Sequence, residues 1–344
     1  MVSPNALFQK GVECESSGNI FGAIENYRAG FNAGSIEAAE ALVQLYTGGK
    51  YNIHPDATEL VNLLEKLASV NSPLALMKLA VINIKTPGFL GLSSPDYKKA
   101  ATLLERAATL GEPMAAFILG EIIYYSRDYV SGDYYSYLPN FLSEEILPGM
   151  NDVDRRVVGR PDSYWCCPHG DNMEKAFQWY KIASDNGIGS ASNMIGILKS
   201  KETATHVPNR VEAASYFEMG ANQGSPAAMT NLGVIHVMWQ PGGGRMSDHK
   251  RQTLYWLDRA SNTGFSEAMI ALACYLTRIR EDPSQVDWAY RLVCAAAKAG
   301  NSVGAQLKVL MDGGTRNSIG LQGVRGTHGI MNDGYAITLY RDIW

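Results

Sequence analysis

No apolar run in this chain lasts more than a few residues, far short of the ~20 needed to cross a bilayer, which excludes an integral membrane protein. The opening MVSPNALFQKGVECESSG lacks an apolar h-region, so no secretory signal is expected. A basic excess is missing too. Lys and Arg number 30 against 34 Asp and Glu, a formal charge of −4, so nucleic acid is not an expected partner. Cysteine is sparse: five residues, an odd number without regular spacing, which argues against a disulfide framework and for a reducing, cytoplasmic location. What the chain does have is apolar material. Hydrophobic residues make up 46% and charged residues 19%, which excludes a disordered chain. At ~150 residues per domain, a length of 344 suggests two domains or one elongated repeat array.

Self-similarity decides between these. A small turn residue recurs at Gly34, Asn71, Gly111, Gly187, Gly224, Gly264 and Gly300, at intervals of 37, 40, 76, 37, 40 and 36. The interval of 76 is one repeat plus an insertion of similar size. Four residues after the anchor stand Ala38, Ala75, Ala115, Ala191, Ala228, Ala268 and Gly304. Eight after it stand Leu42, Leu79, Leu119, Ile195, Leu232 and Leu272, with Lys308 breaking the rule in the last copy. Seven before it stand Tyr27, Leu64, Leu104, Tyr180, Phe217, Leu257 and Val293; eleven before it, Ala23, Leu60, Ala100, Ala176, Ala213, Thr253 and Ala289.

Positions −11, −7, −4 and −3 share one face of a helix, and +4 and +8 share a face of the next. A large residue against Ala or Gly lets the two helices approach closely, while the anchor Gly ends the first with a left-handed cap. Neither helix can bury its stripe alone, so the pairs must stack into a solenoid. The predicted pairs are 5–16/20–33, 35–47/56–70, 72–84/96–110, 113–126/172–186, 189–200/209–223, 226–239/249–263 and 266–280/286–299, with a last helix near 302–312. Asp56, Asp171 and Asn209, each followed three residues later by Glu59, Glu174 and Glu212, have capping-box spacing before second helices. Asp96 and Asp248 read as similar caps without the Glu.

These units resemble Sel1-like repeats, relatives of the tetratricopeptide repeat. The resemblance rests on AFQWYKIASDNGIGSASNMIG (176–196), ASYFEMGANQGSPAAMTNLGVIH (214–236) and PGGGRMSDHKRQTLYWLDRASNTG (241–264), with a more tetratricopeptide-like first unit, GNIFGAIENYRAGFNAG (18–34). It covers roughly residues 5–312. It implies an all-α fold, a right-handed superhelical solenoid of antiparallel α/α pairs, and a scaffold or adaptor that grips another protein in its concave groove. An enzyme is not implied. Two departures stand out. Cys14, Cys166, Cys167, Cys274 and Cys294 do not form the within-repeat pairs of cysteine-rich bacterial members, and no Asn-X-Ser/Thr acceptor of the lumenal members is present.

Two segments fall outside the repeat, giving four parts: repeats over 1–126, an insertion over 127–171, repeats over 172–312 and a Gly-rich tail over 313–344. From Asp128 to Asp171 there are eight acidic residues, three Arg and no Lys, a charge of −5 that leaves about +1 for the rest of the chain. The same stretch carries Tyr129, Tyr134, Tyr135, Tyr137, Phe141, Tyr164 and Trp165. Loops longer than ~12–15 residues are usually functional or disordered. One reading is a contact surface for a basic protein, with Tyr129, Tyr134, Tyr135, Tyr137, Tyr164 and Trp165 as the partner-binding residues. The other is a loop that folds back into its own groove. The tail has seven Gly in 32 residues and ends GYAITLYRDIW, whose alternation reads as a short strand. It either caps the last repeat or docks on a partner.

Catalytic and metal patterns are weak. Cys166, Cys167 and His169, beside Asp162 or Asp171, are metal-ligand types, but adjacent Cys cannot easily point at one ion, and a vicinal disulfide or packing fits better. Gly242, Gly243 and Gly244 before Arg245 lack the Lys-Ser/Thr of a phosphate loop. Of the histidines 54, 169, 206, 236, 249 and 328, five are assigned to loops or the tail and His236 to an aromatic slot on a helix. Cys274, Cys294, Trp179 and Trp256 read as core. The sequence thus predicts a non-catalytic interaction scaffold without cofactor or metal, binding a protein through its concave face and insertion. The rivals are a structural subunit of a large assembly and a metal-dependent enzyme built around the insertion.

Overall fold

The computed structural model describes residues 3–47, 56–85, 87–91, 93, 96–125, 170–200, 209–238, 246–279 and 283–312. Every regular element among them is helical. The chain divides into two compact units, residues 1–179 and 180–344. In the first lie α1 (Pro4–Ser16), α2 (Ile20–Asn32), α3 (Ile36–Thr47), α4 (Ala57–Ser69), α5 (Pro73–Lys85), a 3₁₀ turn (Pro87–Leu90), α6 (Tyr97–Thr109) and α7 (Pro113–Tyr125). Helix α8 (Gly170–Asp185) enters the second unit at Tyr180. That unit continues with α9 (Gly189–Ser200), α10 (Arg210–Asn222), α11 (Pro226–Met238), α12 (Met246–Ser261), α13 (Ser266–Ile279), α14 (Pro283–Lys298) and α15 (Ser302–Leu310).

The anchor residues explain the regularity. All seven have positive φ, from 63° at Asn71 to 97° at Gly34 and Gly111. In six of the seven turns, the next residue's N–H reaches back to the carbonyl five residues earlier, as in Ser35 to Gly30, Ser72 to Leu67 and Ser225 to Gly220. That is a Schellman stop. The same residue then starts the following helix: Ser35 Oγ accepts from the Ala38 N–H at 3.1 Å and Ser225 Oγ from the Ala228 N–H at 3.3 Å. Proline at the first helical position (Pro73, Pro113, Pro226) loses no intrahelical bond there. Three consecutive residues thus end one helix and begin the next.

The predicted core is the observed one. Every residue at −11, −7 and +4 is buried, as are the six apolar residues at +8. Lys308, the exception, is part-exposed and bonds Asp312 Oδ2 at 2.6 Å. Close approach is achieved by size complementarity between facing positions of a pair, +9 and −7 wherever an anchor precedes the first helix. Gly11, Gly196 and Gly233 each lie so near Tyr27, Phe217 and Leu257 that an added Cβ would sit 2.3, 2.6 and 2.8 Å from those side chains. Where +9 holds Ala80 or Ala273, the equivalent −7 residues are Leu104 and Val293, neither of them aromatic.

In the second unit, the first helices of successive pairs also pack on each other, α9 on α11 and α11 on α13. With second helices on a further side, they are buried all round: α9 from Ala191 to Leu198 and α11 from Ala228 to Ile235 expose almost nothing. Polar residues between these helices find each other. Ser184 and Ser192 hydroxyls are 2.7 Å apart, Ser192 Oγ donates to Gln223 Oε1 at 2.6 Å, and Asn231 Nδ2 donates to Asn193 Oδ1 at 2.8 Å. Buried polar groups must be paired, so these bonds fix the register between repeats.

Several local expectations are corrected. Helix α8 starts at Gly170, so Asp171 is inside it, and α12 starts at Met246, so Asp248 lies in its first turn. An acid there still favours the positive helix end. Asp56 and Asn209 do cap, accepting from Thr58 N–H (2.8 Å) and Glu212 N–H (3.1 Å). The reciprocal half of the capping box does not form at Asn209, whose N–H donates instead to the Lys199 carbonyl at 2.8 Å. Glu59 is taken by Arg28, which grips both carboxylate oxygens at 2.7 and 2.9 Å, and by Tyr46, whose hydroxyl donates to it at 3.1 Å. Trp256 is core as expected, whereas Trp179 is half-buried.

Candidate functional site

The residues singled out for partner binding, Tyr129, Tyr134, Tyr135, Tyr137, Tyr164 and Trp165, lie outside the described residues, as do Cys166, Cys167, His169 and the tail strand. In the second unit Ile182, Val211, Met219 and Tyr255 are exposed on second helices, whereas α9 and α11 are buried along most of their length.

One grouping of such side chains is a shallow cleft of about 480 Å³ on α12 and α14, lined by Leu254, Tyr255, Asp258, Arg259, Asn262 and Trp288. Core positions of α12 point Thr253, Trp256, Leu257 and Ala260 inward, which leaves Tyr255 and Arg259, one turn apart, on the outer side. Tyr255 is 52% exposed, an unusual state for so large a ring. It stands edge-on to Trp256 with centroids 4.9 Å apart. The Arg259 guanidinium lies 5.6 Å from the Trp256 centroid and its Nη1 donates to the Tyr255 hydroxyl at 3.3 Å. Asn262 Nδ2 donates to Asp258 Oδ2 at 3.2 Å. The ring stack and cation–π contact preorganise Tyr255 and Arg259, and Asp258 supplies an acceptor on the rim. Such a site can hold an apolar or aromatic side chain flanked by hydrogen-bonding groups. Nothing in it resembles a nucleophile with its base.

Sequence reasoning missed this cleft, although a signal was available. Tyr255 and Trp288 are large aromatics at −9 and −12, off the core register of −11, −7, −4 and −3.

A second grouping joins α11 and α12. His236 Nδ1 and His249 Nδ1 are 3.5 Å apart, with ring centroids 5.7 Å apart. Burial, then the neighbouring His249, lowers the His236 pKa, so its imidazole is neutral at pH 7. His249, expected in a loop, is on α12 because that helix begins earlier than predicted. Cys274 is buried and its thiol is pushed up to about 12 by desolvation, which makes it inert. Among the described residues no group of three or more His, Cys, Asp or Glu is arranged to hold a metal, and no helix is long and apolar enough to cross a membrane.

Fold and surface together define an all-α helix-pair repeat protein. The Sel1 repeat model matches residues 73–112, 167–188, 204–225 and 226–265, so these segments are Sel1 repeats. The Schellman–cap geometry at Gly34 and Gly300 continues the pattern beyond those matches. Two solved structures share the fold. One is c5321, a protective antigen of uropathogenic Escherichia coli with an SLR fold, at 20% identity and TM-score 0.62 over 92% of this chain. This chain covers 58% of that protein's length. The other is a Sel1 repeat protein from Oxalobacter formigenes, at 19% identity and TM-score 0.61, covering 85% of this chain and 99% of that one. At such identities the likeness extends to fold alone. No curated protein matches the chain in sequence.

Proposed function

We propose that this chain is a non-catalytic scaffold that binds another protein, with the α12/α14 cleft as one contact surface. The observation that carries this is the exposed Tyr255, held by Trp256 and Arg259 at the mouth of a cleft that Trp288 also lines. Tyr, Trp and Arg are the residues that dominate protein interfaces, because they bring large area and directed hydrogen bonds at low entropic cost. Sel1 repeats are generally interaction modules, and the regular polar register between pairs gives such a surface a rigid mount. The concave face and the acidic insertion 127–171, with its preference for a basic partner, are the other surfaces of the same proposal.

Affinity capture from native lysate, read by mass spectrometry, tests it. Three forms are compared: the intact chain, Tyr255→Ala with Trp288→Ala, and a 129–168 deletion closed by a short Gly/Ser linker. A partner retained by the intact chain and lost with the double substitution supports the cleft. Loss only with the deletion moves recognition to the insertion. Identical capture by all three sinks both surfaces.

A further inference from the structure

We propose that His236 and His249 form a binding site for a divalent transition metal such as zinc, clamping α11 to α12 within one repeat. The two residues are 13 apart in sequence and held on antiparallel helices of the same pair, with a 3.5 Å gap between their Nδ1 atoms. As a ring-to-ring hydrogen bond this gap is at the long limit. It is the gap that two ligands of one ion require: with Zn–N at ~2.05 Å, a 3.5 Å separation corresponds to an N–Zn–N angle of about 117°, near tetrahedral.

The ring orientation is a modest rotation away from converging on one ion. With centroids 5.7 Å apart and Nδ1 atoms 3.5 Å apart, the two nitrogens lie close to the line joining the rings and face each other. Tipping each ring by about 30° turns both lone pairs toward an ion beside that line, with the angle just given. Both imidazoles are only partly buried, so an ion can enter, and with two protein ligands the remaining coordination positions fall to water. Because the helices are packed by their core residues whether or not metal is present, the ligands are preorganised, and binding adds a cross-link rather than creating the fold. Neither histidine belongs to the α12/α14 cleft, so the two sites are separable by mutation.

The test is zinc binding by the full chain, with zinc chloride titrated against a chromophoric competitor and stoichiometry read directly. Wild type should bind one equivalent that His236→Gln and His249→Gln each abolish and that the Cys166→Ser/Cys167→Ser pair keeps. Zinc should raise the unfolding midpoint of wild type and of the cysteine variant and leave both histidine variants unmoved. His249→Gln is half-exposed and should keep the helical circular dichroism of wild type, so a loss of binding there cannot be ascribed to unfolding. If zinc stoichiometry is the same in wild type and both histidine variants, the assignment is wrong and the pair is a packing contact only.

Discussion

Gly196→Ala sets helix propensity against packing, and the structure says which wins. Gly in a helix interior costs ~1 kcal/mol relative to Ala, so propensity alone predicts stabilisation. The added Cβ, however, would lie 2.6, 2.7 and 3.0 Å from Cε1, Cδ1 and Cζ of Phe217, where ordinary contact begins at 3.4 Å. These are atoms of a fully buried rigid ring, flanked by polar bonds that hold α9 and α10 in register, so relief requires the helices to part by most of an ångström. Overpacking of this kind costs ~1–3 kcal/mol, and a ring met along its edge belongs at the upper end. After subtracting the propensity gain, Gly196→Ala should destabilise the second unit by about 2 kcal/mol. The repair is visible elsewhere in the chain, where Ala80 stands at the place of Gly196 and Leu104 at that of Phe217. Phe217→Leu alone should cost ~1–2 kcal/mol through lost burial, yet the double variant should be no less stable than Gly196→Ala. Urea unfolding followed by circular dichroism gives all four corners of the cycle. If Gly196→Ala is as stable as wild type, or if the two changes simply add, the size-complementarity argument fails.

Two further perturbations address the first unit. Arg28, Glu59 and Tyr46 join α2, α3 and α4 in a bidentate pair with a shared hydroxyl, but the Arg28 side chain is 46% exposed, so solvent screens it. An Arg28→Ala/Glu59→Ala cycle should therefore give a coupling of about 1 kcal/mol that shrinks with added salt, and zero coupling at low salt would refute the role. Lys78 is buried on α5, and desolvation lowers its pKa from 10.5 to about 8, against a smaller opposing pull from Glu112. Its folded pKa is below its unfolded one, so the penalty is full below pH 8 and is relieved as pH rises toward 10.5. Lys78→Met should accordingly stabilise the protein at pH 7, by at most about 3 kcal/mol, and flatten the rise in unfolding midpoint between pH 8 and 10. An unchanged midpoint at pH 7 would show that Lys78 is well compensated where it sits.

Helix pairing, the seven anchors and the core stripe were fully legible in the sequence, because each depends on residues within one helix length of each other. A Gly with positive φ, an Ala at +4 and a large residue at −7 carry their geometry locally, and repetition multiplies a weak signal seven times. The cap corrections at Asp171 and Asp248 are shifts of two and three residues, less than one helical turn, the scale on which neighbouring residues compete for a helix start.

Only tertiary structure decided the rest. The reciprocal capping bond expected at Asn209 is displaced by the Lys199 carbonyl, and Glu59 serves a repeat-to-repeat ion pair, since a side chain takes whichever partner packing brings closest. Tyr255, Arg259 and Trp288 become one cleft because α12 and α14, separated by a whole helix in sequence, line the same surface. His236 and His249 face each other because two antiparallel helices set their separation. Sequence by itself determined that this chain folds as stacked helix pairs and which faces it buries. Which exposed residues meet was settled by distances between helices, and no single helix encodes those.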